Sequence, residues 1–390
     1  MALSGTTGPV GASGPVGASG PADTSGPAGT RGRVPTWVWK LRLPRQPMIR
    51  HLVLAVAGGA VLFGITSAVG SYDDYQVAQI GFTAVAIAGL SLLTGANGQI
   101  SLGQGAFIMV GAYGAGMVLV HTGLPVFVAL IVGVAVSAAA GVVIGLPASR
   151  LRGPYLAGMT LALAIGLPAL PLKYSSTFAG EQGLSINPLQ PPGTVDPQRW
   201  LAWYVLLAVL IMLVLMGNLM RSRFGRAFKA VRDDEVAAAL SGISVMRTHV
   251  LAFAVSAGAA GLAGGLRGLA TGGVVPDAFS VALSISLLAG MVLGGTGSLL
   301  GAWWGAAILV YAPQWATSVA NSLHLRQGQG SNLALLFYGV VLVVVVLLVP
   351  SGVQGALRKL AGWLAQFAGQ PSQLAGVSTG TVVHKGEEGP

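Results

Sequence analysis

Eleven acidic residues are all that could do proton or metal chemistry by carboxylate: Asp23, Asp73, Asp74, Glu181, Asp196, Asp233, Asp234, Glu235, Asp277, Glu387 and Glu388. None falls inside a stretch that reads as a membrane span, whereas a carrier coupled to protons or sodium usually keeps an ionisable group within the membrane. Secondary transport is therefore disfavoured. The five histidines, His51, His121, His249, His324 and His384, stand at span ends or in tails with no pair at metal-ligand spacing, and they read as interfacial. There is no cysteine, which excludes thiolate sites and thiol nucleophiles. A phosphate-binding loop needs Gly-Lys before Ser or Thr, and that dipeptide does not occur. No cofactor or metal is expected, and energy from ATP would have to be supplied by another subunit.

Two polar segments remain. The first, Arg221 to Val245, has Arg226, Lys229 and Arg232 followed by Asp233, Asp234, Glu235, Val236, Ala237, Ala238, Ala239, Leu240 and Gly242. It reads as a short cytoplasmic helix. Asp233 or Asp234 caps its free amides, Glu235 complements the dipole in the first turn, and Gly242 supplies a left-handed stop. Val236 and Leu240, four apart, share an apolar face that needs a partner, either a protein groove or the lipid interface. The second is Asn97-Gly-Gln-Ile-Ser-Leu-Gly-Gln-Gly-Ala-Phe107, where Asn97, Gln99, Ser101 and Gln104 interrupt an apolar run. It is either irregular backbone lining a polar path or a tight turn into a glycine-rich helix.

The elements that must hold these segments are set by composition. Of 390 residues, 53% are hydrophobic and 8% charged, against about a quarter charged in soluble domains. About ten stretches are long enough to cross a bilayer, roughly 52–69, 77–93, 100–120, 124–146, 155–172, 201–216, 250–270, 278–293, 299–319 and 333–349. The connections near Asn97 and Gly297 are short and glycine-rich, so the pieces beside them read as full spans or as broken or re-entrant helices. The fold expected is an all-α polytopic membrane helix bundle.

Charge supports that count. Ten spans put both termini on one side, and all of the 21 basic residues except Lys173, Arg199, Arg267 and Arg326 fall on that side, which predicts cytoplasmic termini. The net charge of +10 is thereby topology, not nucleic-acid binding. Arg267, near the outer end of its span, either snorkels or faces the pathway. Glu181, in the long outer loop, is solvated or docks an external partner. Small residues spaced by four, Ser256, Ala260, Gly264, Gly268 and Gly272, then Gly297, Gly301 and Gly305, predict helices whose backbones touch.

Four regions follow. Residues 1–35 carry glycine at every third position from Gly5 to Gly32 except at Asp23 and read as a disordered tail with collagen-like spacing. Residues 36–51 form a basic juxtamembrane segment, 52–350 a transmembrane domain containing the loop 220–248, and 351–390 a cytoplasmic tail disordered after about 369. The first apolar stretch starts only at Leu52, so no cleavable leader is expected.

Several strings together resemble the LivM-type permease subunit of bacterial branched-chain amino acid ABC importers: Leu92 to Phe107 with Gly111-Ala-Tyr113, Arg150-Leu-Arg-Gly-Pro-Tyr-Leu156, Gly180-Glu-Gln-Gly-Leu184, Phe224 to Val245, and Val292-Leu-Gly-Gly-Thr-Gly-Ser-Leu-Leu-Gly301. The resemblance implies a non-enzymatic subunit in the bacterial cytoplasmic membrane. Its expected partners are a second related permease, two cytoplasmic ATP-binding subunits and an extracytoplasmic solute-binding protein. Arg226 to Gly242 would be the loop that couples to the ATPase. The chain departs from the family's common pattern at Pro154, Ile165, Pro168 and Ala239, and related permeases also serve urea or short amides. An autonomous channel or facilitator is the rival class.

Overall fold

Glycine and alanine recur so densely between Val245 and Thr271 that a helix there has almost no side-chain bulk, and neighbouring helices can close onto its backbone. The computed structural model, which describes residues 64, 71–151, 153–187, 191, 196–322, 339 and 352–368, is built around that helix. In chain order the helices are α1 (Ser71–Leu90), α2 (Gln104–Thr122), α3 (Val126–Ala148), α4 (Pro154–Gly166), α5 (Ala169–Lys173), α6 (Ser175–Phe178), α7 (Pro197–Arg221), α8 (Arg223–Asp233), α9 (Glu235–Leu240), α10 (Val245–Thr271), α11 (Val281–Gly294), α12 (Leu299–Ser322) and α13 (Gly352–Ala368). The only sheet among the described residues is a two-residue antiparallel ladder, Leu184 with Val274 and Ser185 with Gly273. The fold is all-α, as expected.

Among the described residues, seven helical segments are long and apolar enough to cross a membrane: Asp74–Ala96, Gln104–Thr122, Val126–Ala148, Pro154–Lys173, Pro197–Arg221, Val245–Thr271 and Pro276–Gly294. They match the second to eighth expected spans. The ninth is the 24-residue helix α12, more polar because Pro313 and Gln314 interrupt it. Apart from residues 64 and 339, the spans at 52–69 and 333–349 lie outside the described residues, as do the N-terminal regions 1–35 and 36–51 and the tail beyond 368, so the count of ten is not established.

Helix α10 packs on α1, α2 and α3, and α7 and α12 close on α1. The close approaches fall where the small-residue spacing places them. A Cβ on Gly111 would collide with Gly261, and one on Gly264 with the Ile108 carbonyl. Ser137, buried in α3, donates to both the Phe107 carbonyl at 2.9 Å and the Ala257 carbonyl at 2.7 Å, tying three helices at one oxygen. Gly290 and Gly294 of α11 meet Gly305 and Gly301 of α12 in the same way. Gly272 differs from the rest of its series: it ends α10 in the left-handed conformation, φ +70, instead of lining a contact.

Large apolar side chains point outward on the peripheral helices, among them Phe127, Ile131, Val143, Ile165, Leu207, Ile211 and Leu215. Such a surface would aggregate in water and is the natural complement of lipid tails. The chain is a multi-pass membrane protein.

Asp74 corrects one expectation. The span begins at Asp74, three residues earlier than read from the sequence, and brings that carboxylate inside fully buried. The ion pair it makes with Arg199 of α7, 3.3 Å away, offsets the cost of desolvation.

Candidate coupling face and polar relay

The segment after α7 is two helices with a corner, not one. Ser222 caps α8 by accepting from the Phe224 amide at 3.1 Å, and α8 buries Gly225, Phe228 and Val231 against the bundle. At Asp234 the backbone is extended, φ −157 and ψ 111. Its carboxylate accepts from Val236 N at 2.8 Å and Ala237 N at 3.0 Å and thereby starts α9. Of the two candidate caps, Asp234 does the capping; Asp233 instead holds Arg232, whose Nη2 donates to Asp233 Oδ1 at 2.8 Å.

The end of α9 also follows the sequence. Gly242 has φ +81, Ile243 N donates to Ala238 O and Gly242 N to Ala239 O, each at 3.0 Å. That pair of bonds is a Schellman closure, which needs a residue at ease in the left-handed region. Between cap and stop, Ala238 faces the bundle, 4% exposed, while Val236 is 67% and Leu240 86% exposed. Ala237 and Arg226 are exposed as well. A capped helix thus presents two large apolar side chains, one turn apart, away from the bundle.

The start of the polar break that holds Asn97 and Gln99 sits against this same segment through Gly95 and Gly98, while Gln99 itself bonds locally, its amide donating to Leu93 O and its carbonyl accepting from Thr94 Oγ1. Helix α1 continues into a π-helical turn, Ser91–Ala96, and the chain then runs irregularly to Gln104. Arg232 Nη1 donates to the Gly95 carbonyl at 2.7 Å, and its side chain covers Gly98 so closely that a Cβ there would stand 2.8 Å from Arg232 Cγ. The Asn97 amide donates to His249 Nδ1 at 2.9 Å. The other ring nitrogen, Nε2, faces Glu235 Oε1 at 3.5 Å, long for a hydrogen bond but within ion-pair range. With Nδ1 accepting, a neutral ring carries its proton on Nε2, the atom nearest the carboxylate. Asn97, His249 and Glu235 form a chain of contacts from the irregular segment, through the first turn of α10, to the first turn of α9.

His249 is the residue that sequence reading missed. Expected at the interface, it is buried, 3% exposed. Its partner Asn97 is 152 residues away in the chain, so no local pattern marks it; the hint available was a lone ring seven residues beyond the left-handed Gly242.

Ser101 and Gln104 lie apart from that relay. Ser101 is buried and accepts from Gly103 N at 3.2 Å. Gln104, also buried, donates to Ala86 O at 3.0 Å and accepts from Ser256 Oγ at 3.3 Å. Ser256 is seven residues along α10 from His249, about 10 Å deeper in the bundle. The two glycine-rich breaks meet each other: Gly297 N donates to Ser91 Oγ at 2.9 Å, and a Cβ on Gly95 would collide with Gly297. Glu181 is exposed in a 3-10 turn, Gly180–Gln182. The strand that follows it pairs with Gly273 and Val274 beyond the C-terminal end of α10. Glu181 and the α8–α9 segment therefore stand at opposite ends of a 27-residue helix, about 40 Å long.

The comparisons agree with this architecture. Residues 74–346 match the family described as branched-chain amino acid transport system, permease component. The chain is 34% identical over 247 residues to the high-affinity branched-chain amino acid transport system permease protein LivM of Salmonella typhimurium, covering 57% of this chain and 58% of that protein. It is 28% identical over 292 residues to the corresponding LivH protein of Escherichia coli, covering 68% of this chain and 89% of the relative. It is 39% identical over 122 residues to the autoinducer 2 import system permease protein LsrC of Klebsiella pneumoniae, covering 30% of this chain and 33% of that one. No solved structure matches. Matched over little more than half the length of LivM but across most of its own described bundle, the chain belongs to the family of permease components of branched-chain amino acid transport systems.

Proposed function

We propose that this chain is the membrane-spanning subunit of an ATP-driven importer in a bacterial cytoplasmic membrane, that it moves a branched-chain or other amino acid, and that it performs no covalent chemistry. A second related permease would complete the path, two cytoplasmic ATP-binding subunits would drive it, and an extracytoplasmic solute-binding protein would deliver the solute. The transmembrane domain is placed at 52–350, with both termini and the segment 220–248 on the cytoplasmic side.

The observation that carries this reading is α9: capped by Asp234, closed at Gly242, and holding Val236 and Leu240 exposed. An apolar pair so displayed at the end of a membrane bundle suits a protein groove. Arg226 and Arg232 beside it supply charge, and Asp233 orients Arg232. The contacts through Arg232, Glu235 and His249 give a docked ATPase a grip on α1 and α10, so that closure of the ATPase is transmitted as a small shift of packed helices. Asn97 belongs to this transmission; Gln99, Ser101 and Gln104 remain the candidates for a polar step in the path. Glu181, at the other end, is the candidate contact for the solute-binding protein.

Affinity isolation of the tagged chain from its native membrane tests the reading. An ATPase carrying a phosphate-binding loop is expected to copurify, and charge reversal at Arg226 and Arg232 is expected to abolish substrate-stimulated ATP hydrolysis. Solute flux through the single purified chain in liposomes, without ATP, would replace the importer by a channel.

A further inference from the structure

Helix α13, Gly352–Ala368, packs on α11 and α12. Gly352 is buried at its start and fits so closely that a Cβ there would collide with Gly295. Gly294 ends the span Pro276–Gly294, so α13 begins at the level where hydrocarbon gives way to headgroups. It begins at the same end of the bundle as α8 and α9, because Gly297 of that connection meets Gly95, whose carbonyl accepts from Arg232. With 17 residues α13 is about 25 Å long and carries Arg358 and Lys359 at its middle. It is too short and too charged to cross the bilayer.

Successive residues turn about 100° around a helix, which gathers Val353, Ala356, Leu357, Leu360 and Trp363 on one side and puts Arg358 nearly opposite Leu360. The bundle does not cover that apolar side beyond the first turn: Leu357 is 40%, Leu360 52% and Trp363 55% exposed. Beside it, Val292 of α11 and Leu300 and Trp304 of α12 are exposed at the same end, so the uncovered side of α13 continues the lipid-facing wall of the spans. No acidic residue occurs between Gly352 and Ala368. Charge separates this helix from α9, which starts at Asp233, Asp234 and Glu235 and would be repelled by anionic headgroups.

We propose that α13 is an interfacial lipid-binding helix, its apolar side set into the leaflet at the α9 end of the bundle and its Arg358–Lys359 pair on anionic headgroups. Leucine and tryptophan on one side with basic residues on the other is the pattern that lies in such an interface, and basic residues held there attract anionic lipid. The close fit of Gly352 on Gly295 then ties the connection between α11 and α12 to the membrane surface.

The chain has no cysteine of its own, so a single introduced thiol can carry a nitroxide. The full chain with Leu360→Cys or Lys359→Cys is spin-labelled and reconstituted in vesicles of phosphatidylcholine with or without a third of phosphatidylglycerol, and collision with oxygen, concentrated in hydrocarbon, is compared with collision with a water-soluble nickel chelate. With phosphatidylglycerol present, the oxygen-to-nickel ratio at 360 is expected to exceed that at 359 at least threefold. Its absence, or Arg358→Gln with Lys359→Gln behind the label at 360, should lower the ratio at 360 at least twofold. Nickel access at 360 equal to that at 359 would place the helix in water and overturn the proposal. A label at 360 shielded from both reagents would mean that protein, a second copy or another subunit, covers this face instead of lipid. An oxygen-rich site at 360 that is indifferent to phosphatidylglycerol and to both glutamines would overturn the role of the basic pair.

Discussion

Leu240→Asp and His249→Phe should fail in opposite ways. Leu240 is 86% exposed, so an aspartate there removes almost no contact from the chain by itself, and thermal unfolding in detergent should be unchanged. If a partner's groove covers that side chain, burial contributes about 1.5–3 kcal/mol, and its loss weakens ATPase binding by roughly tenfold to a hundredfold. Phenylalanine at 249 fills the ring's volume but offers no acceptor. Asn97, whose Oδ1 already has no partner, would then bury both ends of its amide unpaired, at a cost of about 1–3 kcal/mol. The contact with Glu235, partly exposed and 3.5 Å long, adds little. His249→Phe should therefore unfold earlier, keep ATPase binding because Val236 and Leu240 are untouched, and lose substrate-stimulated ATP hydrolysis. The paired assay is copurification of the ATPase against thermal unfolding followed by tryptophan fluorescence. If both variants lose ATPase binding equally, or if Leu240→Asp unfolds as early as His249→Phe, the division between an exposed docking face and a buried relay is wrong.

Three further outcomes follow from the packing. A Cβ on Gly141 would stand 2.6 Å from that of Ala257, so Gly141→Ala must part α3 from α10 by several tenths of an ångström and should destabilise by about 1–3 kcal/mol; Gly158→Ala, with nothing within 4 Å, should be neutral or mildly stabilising, and thermal unfolding compares them. Gly242→Ala meets no neighbour but puts a side chain at φ +81, which should cost about 1–2 kcal/mol locally and show as faster amide exchange in α9 with the transmembrane helices unchanged. Arg199→Met leaves Asp74 buried without its ion-pair partner and should destabilise by up to about 3 kcal/mol, discounted because Arg199 is partly exposed. Asp74→Asn, which removes the buried charge itself, should cost less in the same unfolding assay.

What could be read from sequence was whatever repeats or stands next to itself. Runs of about twenty apolar residues located seven of the spans, because hydrocarbon thickness fixes their length. The spacing of Ser256, Ala260 and Gly264 marked the face of α10 that closes on its neighbours, since a four-residue interval is one helix face whatever surrounds it. The cap at Asp234 and the stop at Gly242 are local chemistry and appeared where expected, although the corner that splits α8 from α9 did not, because nothing in the sequence distinguishes a cap inside a continuous helix from a cap after a bend. The failures were long-range. Asp74 looked like a loop acid because its pairing with Arg199 spans 125 residues, and the union of Asn97 with His249 crosses most of the bundle's chain length. Hydropathy cannot show that a charge is neutralised by a partner it has not yet met.

Helix α10 unites these observations in one mechanical argument. At its first turns His249 touches both the irregular segment after α1 and the start of α9; at its last turn Arg267 faces a small internal cavity. Between them lies a helix lined by Ser256, Ala260, Gly261 and Gly264, packed backbone to backbone on α2 and α3. Glycine contacts of this kind have no interlocking side chains to resist sliding along the axis, whereas separation of the helices would forfeit every contact at once. Motion of α10 is thereby directed along its length, as shear instead of spreading. A pull of an ångström or so on α9, felt through Glu235 and His249, would arrive at Arg267 with little loss, because a helix is stiff along its axis. Gly261→Leu tests this directly: it must push α10 off Ser137 and the Gly133 carbonyl, and it should uncouple ATP hydrolysis from transport in assembled complexes while ATPase binding at Val236 and Leu240 is retained. Coupled transport at the wild-type ratio in that variant would mean that the signal travels by another helix.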